Sequence, residues 1–164
     1  SPWNGQYWIN STGEEQYRRA VYTYWKRTAP YPAMISFDGA AREVCMARRI
    51  RTNTPLQALV TLNDSFYLDA SRHFAYHMIE RAGINDPAKT IEYGYRLAMN
   101  KPIGQPKLVA LEKLYKKAYN SFSRDKENTG ERAGSEKDQK KPRTAALGVV
   151  ANAILNLDEM ITKN

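Results

Sequence analysis

A mainly α fold is what this sequence predicts: a compact helical domain of four to five helices, with a short N-terminal β element and a long ordered Arg-rich loop. Three observations carry that expectation. Apolar residues recur at steps of three and four along the second half, as at Leu108, Leu111, Tyr115, Ala118 and Phe122, and again at Leu147, Val150, Ile154, Leu157 and Ile161. Helix start signals stand at Thr54-Pro55, Asp64 and Asp86-Pro87. The chain has 164 residues, 42% of them hydrophobic, which is enough for one buried core.

The elements follow in order. The first sixteen residues are polar and aromatic without a sustained period. From Arg19 to Arg27, Val21, Thr23 and Trp25 alternate with Tyr22, Tyr24 and Lys26, a β-branched and aromatic mixture that favours a short strand. Tyr17, Val21, Tyr24 and Thr28 also fall at helical spacing, so the pattern carries both periods. Pro30 and Pro32 end the segment, and an ordered loop is expected through Arg51. Thr54-Pro55-Leu56-Gln57 then supplies an N-cap hydroxyl, a proline at the first helical position and a glutamine three residues after the cap. Asp64 caps a second helix reaching about Ala82, where Gly83 provides the stop. Asp86-Pro87 opens a third helix ending near Asn100, and a fourth starts around Gln105. Residues 123–143 carry mixed charges, two glycines and no large apolar side chain, the composition of a flexible charged loop. The C-terminal helix has to dock its apolar face on the others, so residues 1–164 are expected to form a single domain.

Composition excludes whole classes. A wholly disordered chain, a collagen-like repeat and a disulfide scaffold do not fit, and Cys45, the lone cysteine, has no intrachain partner. No apolar run approaches the roughly 20 residues that cross a bilayer. The net charge is +8, and +6 of it lies between Arg18 and Arg51, mostly as arginine. Arginine forks suit bidentate contacts with phosphate, sulfate or carboxylate, and equally suit buried ion pairs.

Asp69, His73, His77 and Glu80 share one helix face at a spacing that a divalent ion accepts, yet no flanking motif accompanies them. His73 and His77 are therefore read as surface histidines. Cys45 has Arg42, Arg48 and Arg49 nearby to lower a thiol pKa, but a catalytic thiol also needs a base. A buried inert cysteine is the simpler reading. The chain has no Cys-x-x-Cys-His, glycine-rich phosphate loop, nucleophile elbow or His-Glu-x-x-His, so no cofactor is expected and no catalytic motif is present. Tyr17-Arg18-Arg19 and Tyr24-Trp25-Lys26-Arg27 combine rings with cations, but no groove-reading helix or RNA motif accompanies them, which disfavours nucleic acid. The most distinctive stretch is Arg42 to Gln57. It sets Arg42, Arg48, Arg49, Arg51 and Asn53 against a helix N-terminus, where free N–H groups and the dipole favour anions. Those side chains, with Asp38, form the candidate ligand site. The competing reading is a structural hub in which the arginines pair with Asp38, Glu43 and loop carbonyls.

The run YRRAVYTYWKRTAPYPAMISFDGAAREVCMARRIRTNTPLQALVTLND, Tyr17 to Asp64, resembles the C-terminal region of the bacterial domain-of-unknown-function family 1553. The TNTPLQAL and LND motifs carry the likeness, and the ending VANAILNLDEMITKN is similar to the family's terminus. The resemblance implies a C-terminal fragment of a large exported protein, often with a cytochrome c-like domain upstream, and an extracytoplasmic location. It implies a setting of glycan utilisation and no established activity. The expected function is a non-catalytic interaction or scaffold module whose partners are the upstream domains of the same polypeptide and, through the arginines, an acidic polysaccharide. A contribution of Arg and Asp residues to an active site shared with those domains is the enzymatic alternative, and nucleic-acid binding the second alternative. The family's Phe-Asp-Ala-Pro-Asp is here Phe37-Asp38-Gly39-Ala40-Ala41, so a role of the second Asp is lost.

Overall fold

The computed structural model describes residues 11, 13–26, 30–39, 52–124 and 142–161. The chain divides into two compact units, Ser1–Gln57 and Ala58–Asn164. Every regular element among the described residues is helical.

The first unit holds two 3₁₀ turns, Gly13–Tyr17 and Ala20–Tyr22, then α1 (Pro32–Ser36) and the first turn of α2 (Pro55–Asn63). The expected N-terminal strand does not form over the described part of 19–27. Instead Tyr22 N–H donates to Arg19 C=O at 2.9 Å and Thr23 N–H to Ala20 C=O at 3.1 Å, and residues 23–26 follow without regular structure. β-branched and aromatic residues favour a strand only where a neighbouring strand supplies a ladder and a face to pack on. No described residue does so, and Val21, Tyr22 and Tyr24 are exposed. The loop expected after Pro30 contains the short α1, because Pro32 sits at the first helical position, where its missing N–H costs nothing. The Arg-rich loop lies within 40–51, outside the described residues.

The second unit contains the rest of α2, then α3 (Ser65–Ala82), α4 (Pro87–Met99), α5 (Gln105–Arg124), α6 (Pro142–Leu155) and the one-turn α7 (Asp158–Ile161). Its boundaries follow the sequence signals. The Asp64 carboxylate accepts from Phe66 N–H at 2.9 Å, and that of Asp86 from Lys89 N–H at 3.3 Å ahead of Pro87. Gly83, at φ +84°, ends α3, and Asn100, at φ +55°, ends α4 in the left-handed region that asparagine tolerates. The segment 123–143, expected as a flexible loop, is helical at both described ends, and its interior lies outside the described residues.

The C-terminal helix differs from the expected single apolar stripe. Leu147, Val150 and Ile154 are fully buried, but so are Ala145, Ala146 and Ala151 on other sides. α6 is therefore the central helix, packed on α3, α4 and α5, and its small residues let those neighbours approach. The helix stops at Leu155, and the last member of the predicted stripe, Ile161, belongs to α7. Met78 of α3 and Ile91 and Tyr95 of α4 complete the interior. A Cβ at Gly94 would lie 2.6 Å from both Sδ and Cε of Met78, so α3 and α4 meet over a glycine. Thr61 ties α2 to this unit, its hydroxyl lying 3.0 Å from Ala58 C=O and 2.5 Å from the Asn156 side-chain oxygen.

Candidate functional site

The geometry of the first unit converges on Asp38. α1 ends in a Schellman turn: Asp38 N–H donates to Ile35 C=O at 3.3 Å and Gly39 N–H to Met34 C=O at 2.5 Å. That turn needs a left-handed residue, and Asp38 takes it at φ +56°. A Cβ at Gly39 would meet Met34 O at 2.6 Å, so the following position has no room for a side chain. The cost of a non-glycine residue there is offset by what the carboxylate reaches. Thr52 N–H donates to Oδ2 at 2.7 Å, the Thr52 hydroxyl lies 2.8 and 2.9 Å from the two oxygens, and Gln57 Nε2 donates to Oδ2 at 3.3 Å.

Gln57 joins this knot to the start of α2. Its Oε1 accepts from Thr54 N–H at 2.9 Å while Thr54 Oγ1 accepts from Gln57 N–H at 3.3 Å, the reciprocal capping box read from the sequence. Its Nε2 also donates to Thr52 Oγ1 at 3.1 Å, and the residue is 1% exposed. A glutamine buried to that extent keeps its amide only where donors and acceptors are both satisfied. Asp38 thus acts as a tie between the end of α1 and the start of α2, its oxygens turned toward the chain's own donors. Of the other predicted site residues, Asn53 is exposed on the same connection. Arg42, Arg48, Arg49 and Arg51, with Cys45, lie outside the described residues.

The two histidines stand apart from this knot, on α3. His73 Nε2 is 3.8 Å from Asp69 Oδ2 and His77 Nδ1 is 3.9 Å from Glu80 Oε2. Each ring faces its own carboxylate, and the His77 ring also lies 6.3 Å from that of Tyr93, tilted by 52°. Among the described residues no three His, Cys, Asp or Glu side chains gather as a metal set, and no helix is long and apolar enough to cross a membrane.

Two features of the second unit escaped sequence reading. Glu159 of α7 accepts from the Tyr95 hydroxyl at 2.6 Å and from Lys107 Nζ, with Lys101 Nζ at 3.4 Å. The Lys107 ammonium also sits 5.9 Å from the Tyr95 ring centroid. Hydrogen bonding from Lys107, then from Tyr95, pulls the Glu159 carboxyl down to about 2 from an ordinary 4.5. The same bond to Glu159 raises both the Tyr95 hydroxyl and the Lys107 ammonium. The cluster pins α7 onto α4 and the start of α5. No spacing rule could have shown it, since Tyr95 and Glu159 are 64 residues apart. The second feature is an apolar row: Leu59 and Leu62, one turn apart on α2, and Phe66 on the first turn of α3 are 58%, 42% and 36% exposed.

No curated protein and no solved structure matches the chain. A family model does match, over residues 2–115, so it spans α1 to α4 and the first half of α5 and leaves α6, α7 and the stretch VANAILNLDEMITKN beyond it. With the Asp38 knot and the TNTPLQAL helix both inside the matched stretch, the chain belongs to the PSD1 family, proteins of unknown function (DUF1553).

Proposed function

We propose that the chain is a non-catalytic interaction module of an extracytoplasmic multidomain protein, docking on the upstream domains of the same polypeptide. The observation that carries the reading is the row of Leu59, Leu62 and Phe66, large apolar side chains held in water on rigid helices. Isolated exposed leucines are ordinary, but three large apolar side chains exposed within eight residues mark a surface that another protein covers. The occupant we assign is an apolar protein surface, because the three apolar side chains are interspersed with the exposed polar residues Asn63, Asp64 and Ser65, the mixture found at protein interfaces. Burying the exposed half of each leucine would contribute about 1 kcal/mol.

An acidic-glycan role remains part of this proposal for Arg42, Arg48, Arg49 and Arg51, beside Asn53 and Asp38, and glycan utilisation is the setting the resemblance implies. The enzymatic alternative has no favouring observation, since the Asp38 carboxylate is engaged by Thr52 and Gln57. The test is a calorimetric titration of this chain with the upstream domains as a separate polypeptide, using the wild type and Leu59→Ser/Leu62→Ser. Both positions are exposed, so helix content should be unchanged in the variant. Binding by the wild type, weakened at least tenfold in the variant, is expected. Absence of binding, or equal binding by both, would overturn the reading.

A further inference from the structure

The solvent face of α5 is a second surface, independent of the apolar row. Lys113, Lys116, Lys117, Asn120 and Arg124 are all exposed. At 3.6 residues per turn they fall within an arc of about 100° and extend along about 16 Å of the helix. Leu111 and Tyr115 of the same helix are buried in the core, so packing fixes which way the basic stripe faces. Lys113 and Lys117, four apart, repel one another. Relief is absent. Glu112 stands one turn before Lys116, yet among the described residues none of the four cations makes an ion pair. Off the stripe the described cations divide. Arg18 pairs with Glu15, Arg72 with Asp69, Lys89 with Asp86, and Lys101 and Lys107 with Glu159, whereas Arg19, Arg81, Arg96 and Arg143 make no ion pair among the described residues. What sets the stripe apart is the alignment of four such cations along one helix face.

We infer that this stripe is a docking site for a linear acidic polysaccharide carrying sulfate or carboxylate groups. Charge complementarity selects a polyanion, since four exposed cations in a row lower their mutual repulsion by sharing one chain of negative groups. The side chains choose among polyanions. No aromatic ring lies on the stripe, so a single-stranded nucleic acid would find nothing to stack on. Three of the four cations are lysines, point charges on flexible stems that meet anionic groups spaced along a linear chain without demanding a fixed bidentate geometry. Asn120, central in the row, offers the amide donor and acceptor that sugar hydroxyls use. An acidic protein face would need an apolar centre, and the only large apolar side chain on this arc is Val109 at one end.

The test measures binding of the whole chain to dextran sulfate over a range of salt, with neutral dextran and oligothymidylate as separate arms. Lys113→Gln/Lys117→Gln is compared with Arg81→Gln/Arg96→Gln, which removes the same charge from exposed sites off the stripe. Circular dichroism confirms that both variants keep their helices. The stripe variant should bind dextran sulfate at least tenfold more weakly. By counterion-release arithmetic it should also lower the slope of log Kd against log salt by about 1.5. The control variant should change affinity less than twofold. Equal losses in the two variants would mean that only the net charge acts, and would overturn the assignment. So would a failure to bind dextran sulfate, equal binding to neutral dextran, or tighter binding to oligothymidylate.

Discussion

Replacing Asp38 separates the two things that hold the α1–α2 connection. In Asp38→Ala the carboxylate is lost from Thr52 N–H, the Thr52 hydroxyl and Gln57 Nε2. A hydrogen bond to a charged group contributes about 1.5 kcal/mol at the low end of the range, which the 2.7 Å contact to Thr52 N–H warrants. The hydroxyl adds about 0.5 kcal/mol and the long amide contact little. Alanine at φ +56° adds about 1 kcal/mol of backbone strain, so the total is about 3 kcal/mol. Asp38→Gly loses the same bonds without the strain and should cost about 2 kcal/mol. Asp38→Asn keeps one acceptor oxygen and tolerates the left-handed backbone, and should cost about 1 kcal/mol. All three tryptophans, Trp3, Trp8 and Trp25, lie in the first unit, so urea unfolding followed by tryptophan fluorescence reports on this connection. At a slope of about 1 kcal/mol per molar urea, the three variants should lower the midpoint in steps of about 1 M, in the order Asn, Gly, Ala. Glycine at or below alanine would refute the backbone argument, and an alanine midpoint within about 0.5 M of the wild type would refute the whole account of the knot.

Three further outcomes follow from the second unit. Gly94→Ala puts a methyl against Sδ and Cε of the fully buried Met78, whose side chain must repack within the core, and should cost about 1 kcal/mol in thermal unfolding followed at 222 nm. Ile154→Ala leaves a cavity in the core beneath the last turn of α6 and should cost about 2–5 kcal/mol in the same assay, whereas Val109→Ala, on the exposed face of α5, should cost little. Glu159 is held well below its ordinary value, so its contribution to stability is present above about pH 4.5 and is lost as pH falls toward about 2. Acid unfolding of Glu159→Gln should therefore lack that part of the wild-type pH dependence. Tyr95 and Lys107 are both raised, so their share is lost only as pH climbs through the alkaline range.

The helical frame was legible wherever the chemistry was local. Thr54 with Gln57, Asp64, and Asp86 with Pro87 cap by contacts within three residues, and Gly83 stops α3 through its own backbone freedom. The misreadings occurred where a partner decided the outcome. Val21 and Tyr22 have strand-forming side chains but no strand to pair with, and take a 3₁₀ turn. Pro32, counted as a breaker, starts α1. Ala145, Ala146, Gly148 and Ala151 carry little signal in a period-based reading, yet their small size is what allows α6 to sit among three neighbours. Asp38 was singled out from sequence as a site residue; its hydrogen bonds to Thr52 and Gln57 depend on the left-handed turn that ends α1, which no motif announces.

The account's central claim is that Leu59, Leu62 and Phe66 form a docking face. Hydroxyl-radical footprinting read by mass spectrometry measures the solvent access of those three side chains directly. It would be applied to this chain alone and to the same chain within the longer polypeptide. The account predicts ready labelling of all three in the isolated chain and at least fivefold protection in the longer protein, with Leu97 of α4, 50% exposed, labelled alike in both. Equal labelling of Leu59, Leu62 and Phe66 in the two contexts would contradict it.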